Sequence, residues 1–106
     1  MENNNPVFEM IDELVKKGHE ALEKYYELDQ KQVDYIVKKC SVAALDEHGS
    51  LALAAVQETK RGVFEDKATK NLFACEYVSN NMRHLKTVGV IKEDTVTGIV
   101  EVADPV

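Results

Sequence analysis

The residues of this 106-residue chain best able to bind a metal or attack a carbonyl are three histidines and two cysteines. His19, His48 and His84 are far apart in sequence, and no two stand at the i,i+4 spacing that puts a pair of ligands on one helix face. A metal centre would need the fold to bring them together, so they read as surface or helix-end histidines. Cys40 and Cys75 each fall on an apolar helical stripe. A nucleophilic thiolate needs an accessible, electropositive setting, whereas a buried thiol behaves as a small hydrophobe. Both are therefore expected to be buried and reduced. Glu58, Glu65, Asp66 and Glu76 could supply an acid/base pair, yet Glu65 and Asp66 are adequately explained as helix-start residues. Lys60, Arg61, Lys67 and Lys70 cluster locally and could meet an anionic ligand, although nearby acids make a solvated face the simpler reading. No glycine pattern of the G-x-G-x-x-G or Walker type is present. From the residues, no catalytic, cofactor-binding or metal site is assigned.

Those residues sit on elements that the pattern outlines. Asn5 suits the cap and Pro6 the first turn of a helix expected over about 6–27, with Val7, Met10, Ile11, Leu14, Val15, Leu22 and Tyr25 at helical spacing. Glu13–Lys17 and Glu20–Lys24 are i,i+4 pairs on its other face, and Gly18 weakens its middle by about 1 kcal/mol relative to Ala unless something packs closely there. A second helix is expected over about 30–47, opened by Asp29 and Gln32 in the manner of a capping box and striped by Val33, Ile36, Val37, Cys40, Ala43 and Ala44. His48 and Gly49 read as its stop. A third, Ala- and Leu-rich helix is expected over about 50–60 with Gly62 as its C-terminal glycine, and a fourth over about 65–85 with Ala68, Leu72, Cys75, Val78 (or Tyr77) and Met82 turned inward. Two β-branched segments follow, about 87–91 and 95–103, with Lys92, Glu93 and Asp94 as the turn. The fold class is mostly α with a terminal β segment, in one small domain. The pattern breaks off just as strands begin, which is the behaviour of part of a longer polypeptide.

Composition narrows the partners. The net charge of -6 disfavours phosphate backbones and anionic membranes. The polar, acidic opening MENNNPVFEM is unlike a secretion signal, and no apolar run approaches the roughly 20 residues that span a bilayer. A cytoplasmic location is expected.

One segment is more specific. Ala55 to Tyr77 contains E-T-K-R-G-V-F-E-D-K-A-T-K-N and ends in C-E-Y. It resembles a stretch of CoA-acylating aldehyde dehydrogenases at Glu58, Thr59, Gly62, Glu65, Asp66, Lys67, Lys70, Asn71, Glu76 and Tyr77. The run E-D-K-x-x-K-N at Glu65 to Asn71 is the most distinctive part. The tail from Lys86 to Val106 is similar to the family's run into its first nucleotide-binding strands. L-V-K-K-G-H-E-A-L at Leu14 to Leu22 and Q-K-Q-V-D-Y-I-V at Gln30 to Val37 are similar to the first helices of its bifunctional aldehyde-alcohol members. The likeness covers about Glu9 to Val106. One departure is Lys60, where the family often has Gly; Lys avoids positive φ where Gly does not.

The resemblance implies the N-terminal helical part of an α/β aldehyde-dehydrogenase-like cofactor domain. Its enzymes interconvert acyl-CoA and aldehyde with NAD(H) through a cysteine thioester, and the bifunctional members add an iron-dependent alcohol dehydrogenase domain that forms ethanol. They assemble into homo-oligomers or filaments. The family's nucleophile and NAD site lie beyond Val106, and neither Cys40 nor Cys75 occupies its motif. The 106 residues alone are expected to be inactive, with the remainder of the polypeptide as the first partner. The alternative is a stand-alone helical module that docks on the full-length enzyme. Thr95 to Val102, as an edge strand whose partners are missing, is expected to promote self-association.

Overall fold

The computed structural model describes residues 5–105. The chain is mostly helical with one two-stranded sheet, in the order α1 (Pro6–Tyr25), α2 (Gln30–Asp46), α3 (His48–Thr59), α4 (Phe64–Leu72), a π-helical segment (Phe73–Val78), α5 (Ser79–Met82), β1 (Gly89–Asp94) and β2 (Ile99–Ala103). It divides into two compact units. One holds the residues up to Gln30 together with those from Lys86 onward, and the other is Lys31–Leu85.

In the first unit, α1 begins where a cap and a proline place it. The Val7 amide donates to Asn5 Oδ1 at 3.1 Å, and Pro6 fills the first turn, where its missing N–H costs nothing. Lys17 Nζ lies 2.8 Å from Glu13 Oε1, whereas the second expected pair, Glu20–Lys24, is not closed. Exposed pairs of this kind contribute only about 0.3–0.5 kcal/mol. The apolar stripe of α1 is present but uncovered: Val7, Phe8, Met10, Ile11, Leu14 and Val15 are all about half exposed. After the helix the side-chain amide of Gln30 clasps the approach to β1. Gln30 Oε1 accepts from the Thr87 and Val88 amides at 2.7 and 3.1 Å, and Gln30 Nε2 donates to Thr87 Oγ1 at 2.9 Å.

The hairpin is antiparallel, with Gly89 opposite Ala103, Val90 opposite Val102, Lys92 opposite Glu101 and Asp94 opposite Ile99. The register shifts between Val90 and Lys92, so Ile91 is the extra residue of a bulge. The turn differs from the sequence expectation. Lys92, Glu93 and Asp94 belong to β1, and the reversal is made by Thr95 to Gly98. The reason is the Asp94 carboxylate. Its Oδ1 accepts from the Val96 and Thr97 amides at 2.9 and 3.2 Å, while the Gly98 amide donates to the Asp94 carbonyl at 2.9 Å. Gly98 then takes φ 72°, which an L side chain rarely adopts. These contacts outweigh the β preference of Thr95, Val96 and Thr97, and leave Val96 93% exposed at the tip.

In the second unit, α2 and α3 meet at Glu47. His48 and Gly49 do not stop α2, as their types suggest; they open α3. His48 Nδ1 lies 2.7 Å from the Leu45 carbonyl, and Ser50 Oγ donates to the Glu47 carbonyl and carboxylate, so polar groups bridge the two helices. The helix ends at Lys60, which is left-handed at φ 57° and whose amide donates to the Val56 carbonyl at 2.9 Å. The αL cap thus falls on Lys60, two residues before Gly62, which has φ 83° of its own. The expected single helix over about 65–85 is interrupted. Ser79 Oγ donates to the Ala74 carbonyl at 3.2 Å, five residues back, and the Phe73 and Tyr77 rings stack with centroids 5.6 Å apart across the π-helical turn. Ser41 Oγ donates to Ser79 Oγ at 3.0 Å and ties α2 to that point.

Only Val33 and Ala52 are buried hydrophobics among the described residues. Leu51, Phe73, Tyr77 and Met82 in this unit are half exposed, as is the stripe of α1 in the other. Amphipathic faces form, but they lack cover.

Candidate functional site

The structure scatters most of the candidate chemistry. His19 and His84 are exposed, and His48 is half-buried and committed to the Leu45 carbonyl. Among the described residues no group of three His, Cys, Asp or Glu side chains could hold a metal. Cys40 is exposed, contrary to the expectation of a buried thiol, because the α2 face that carries it is uncovered. Glu58, Glu65, Asp66 and Glu76 are exposed too, as are Lys60 and Arg61.

What the fold does bring together is the helical register of E-D-K-x-x-K-N. Lys67, Lys70, Asn71, Ala74 and Cys75 recur at three- and four-residue spacing along α4 and into the π segment, and all five face one cleft. Ala44 of α2 and Leu51, Ala52 and Ala55 of α3 make the rest of its wall. The cleft measures about 260 Å³, with fully buried Ala52 in its lining. Asn71 Nδ2 donates to the His48 carbonyl at 3.1 Å and so fixes α4 against the start of α3. Lys67 is set by a glycine: a Cβ on Gly62 would come within 2.6 Å of Lys67 Cε, so its absence lets the lysine stem cross the turn. Glu65 and Asp66 stay at the start of α4, where carboxylates favour the helix dipole. The functional role of the motif is thus partly architectural. The sequence grouped Lys67 and Lys70 with Lys60 and Arg61, but only the first two reach the cleft.

Elsewhere, the one perturbed carboxyl among the described residues is structural. Hydrogen bonds from the Thr97 hydroxyl first, then from the Thr97 and Val96 amides, hold Asp94 below its ordinary value of 3.8. Of the described residues, no helix is long and apolar enough to cross a membrane.

No protein-family model matches the chain. Individual proteins do. Aldehyde-alcohol dehydrogenase 2 of Entamoeba histolytica is 60% identical over 102 residues, which is 94% of this chain and 12% of that protein. The aldehyde-alcohol dehydrogenase of Streptococcus pneumoniae serotype 4 is 71% identical over 96 residues, 91% of this chain and 11% of that protein. In both, the likeness falls on the N-terminal part. A solved acetylating aldehyde dehydrogenase from Geobacillus thermoglucosidasius superposes with TM-score 0.71 at 38% identity, over 86% of this chain and 21% of that one. The chain therefore spans about an eighth of the length of the aldehyde-alcohol dehydrogenases it resembles.

Proposed function

We propose, from its likeness to the N-terminal part of aldehyde-alcohol dehydrogenases, that this chain is the opening helical segment of an NAD-dependent, CoA-acylating acetaldehyde dehydrogenase. The reaction would be acetyl-CoA + NADH + H⁺ to acetaldehyde + CoA + NAD⁺, in a cytoplasmic enzyme that goes on to form ethanol. The observation that supports this most is identity of 60–71% across more than nine-tenths of the chain.

The residues of this segment contribute scaffold. A dinucleotide does not fit what is present: there is no glycine-rich phosphate loop, and the α3–α4 cleft measures only about 260 Å³. The NAD site, the nucleophilic cysteine and the iron of an alcohol dehydrogenase domain are assigned to the rest of the polypeptide. Two further facts support a segment that needs that remainder. The relatives are several times longer. The apolar faces of α1, of the π segment and of β2 stand half exposed, as surfaces do before something covers them.

The test is an NADH-oxidation assay with acetyl-CoA, run on the 106 residues and on a longer polypeptide that continues into a nucleotide-binding region. Activity in the longer product alone is expected. Turnover by the short chain would overturn the scaffold role. Inactivity in both, with tight binding of the short chain to an intact aldehyde-alcohol dehydrogenase, would favour a docking module.

A further inference from the structure

The α3–α4 cleft joins an apolar wall to two cations and no acidic residue. Helix contacts are normally filled to the density of organic crystals. Here Ala44, Leu51, Ala52, Ala55 and Ala74 line a cleft of about 260 Å³ that opens to solvent on the side of exposed Lys70 and Ala74. That is just under the ~300 Å³ at which drug-sized sites begin, so a small occupant is implied. No acidic residue lines it, yet two cations do. Lys67 and Lys70 stand three residues apart on α4, and among the described residues neither forms an ion pair. Lys67 is half-buried, and its stem lies over Gly62, where a Cβ would collide at 2.6 Å; that brings it to the wall of the cleft.

We propose that this cleft binds a short aliphatic carboxylate, with its tail against the alanines and its carboxylate between Lys67 and Lys70. The two ammonium groups supply charge-assisted hydrogen bonds, and the apolar wall selects an aliphatic tail over a bare inorganic anion. This inference is independent of the proposed reaction, because it uses only side chains present in this chain.

The structure also supplies the reporter. Cys75 lines the cleft, whereas exposed Cys40 does not. Alkylation by iodoacetamide, followed by mass spectrometry, gives the rate at each cysteine in the same molecule. Hexanoate should slow Cys75 several-fold and leave Cys40 unchanged, while hexanol and sodium chloride at equal concentration should do neither. The double variant Lys67→Gln/Lys70→Gln should lose the protection, and Lys67→Arg/Lys70→Arg should keep it. Equal labelling of Cys75 with and without hexanoate would overturn the proposal. So would protection by hexanol as strong as that by hexanoate, or protection that survives in the glutamine variant.

Discussion

Lys60 occupies a conformation that favours glycine, and replacing it should stabilise the second unit. At φ 57° and ψ 24° it is the left-handed residue that ends α3, the sole non-glycine with positive φ among the described residues. Holding an L residue there costs about 1–2 kcal/mol, through the approach of Cβ to the following carbonyl. The geometry persists because other bonds determine it. The Lys60 amide donates to the Val56 carbonyl at 2.9 Å, and Thr59 Oγ1 accepts from the Arg61 amide at 3.2 Å while donating to the Ala55 carbonyl at 2.7 Å. Lys60→Gly removes the Cβ penalty, but glycine loses about 0.4–1 kcal/mol more backbone freedom on folding. The net expectation is about 0.5–1 kcal/mol of stabilisation. For a unit this size that is a rise in Tm of roughly 2–8 °C, followed by circular dichroism at 222 nm. Lys60→Ala keeps the Cβ and should move stability by less than about 0.5 kcal/mol. A glycine variant that melts at or below the parent temperature, or an alanine variant that gains as much as glycine, would refute the reasoning.

Gly18→Ala should also stabilise, by about 0.5–1 kcal/mol, because nothing lies within 4 Å of a Cβ there and the site is a helix interior; no gain in helicity or urea midpoint would count against it. Gln30→Ala removes three hydrogen bonds to Thr87 and Val88 and should cost about 1–2 kcal/mol, with amide exchange at Thr87 and Val88 accelerating before that of α3. Asp94 titrates below its ordinary 3.8 when folded, so the hairpin's extra stability is full above that value and is lost as pH falls through the lower, folded one. Asp94→Asn should flatten this acid limb in an NMR titration of the Val96 and Thr97 amides, and an unchanged limb would show that Asp94 is not its source.

The helical elements were legible wherever a local device announces them. Asn5 and Pro6 open α1 through one hydrogen bond and one missing donor, both readable from residue type. The charges of Lys92, Glu93 and Asp94 suggest a loop, which puts the hairpin turn three residues too early. Lys92 and Glu93 are solvated, but on a strand with Lys92 opposite Glu101, and Asp94 is half-buried. The informative signal was Asp94 four residues ahead of Gly98, a carboxylate to hold two amides and a glycine to take positive φ. The preference of αL positions for glycine points to Gly62 as the cap of α3, yet Lys60 carries it. The π segment leaves no mark in the apolar pattern; what accompanies it is the side chain of Ser79 bonding five residues back. At the cleft, the E-D-K-x-x-K-N run placed Lys67, Lys70 and Asn71 on one face by helical arithmetic alone. Which alanines stand opposite depends on how α2 and α3 pack, and periodicity does not encode that.

The deeper mismatch concerns burial. Period-3.6 stripes on α1, α2 and α4 imply faces turned to a core, and the stripes do form. Yet Val33 and Ala52 alone among the described hydrophobics are buried. A stripe specifies that a face needs cover without specifying what covers it. In a self-contained domain the cover comes from the chain's own elements, so the two statements coincide. Here they separate: Ile11 at 47%, Leu14 at 60%, Phe73 at 58% and Val102 at 55% remain in water. Each fully buried side chain of this kind is worth about 1.5–3 kcal/mol, so leaving several half exposed forfeits stability that a closed fold would keep. Covering them is the physical content of the scaffold reading. A longer polypeptide that carries this segment should protect the amides of α1 from exchange far more than the 106 residues do alone. Equal protection in both would mean that the exposed stripes are this chain's own surface, and the segment would then have to be reconsidered as a docking module.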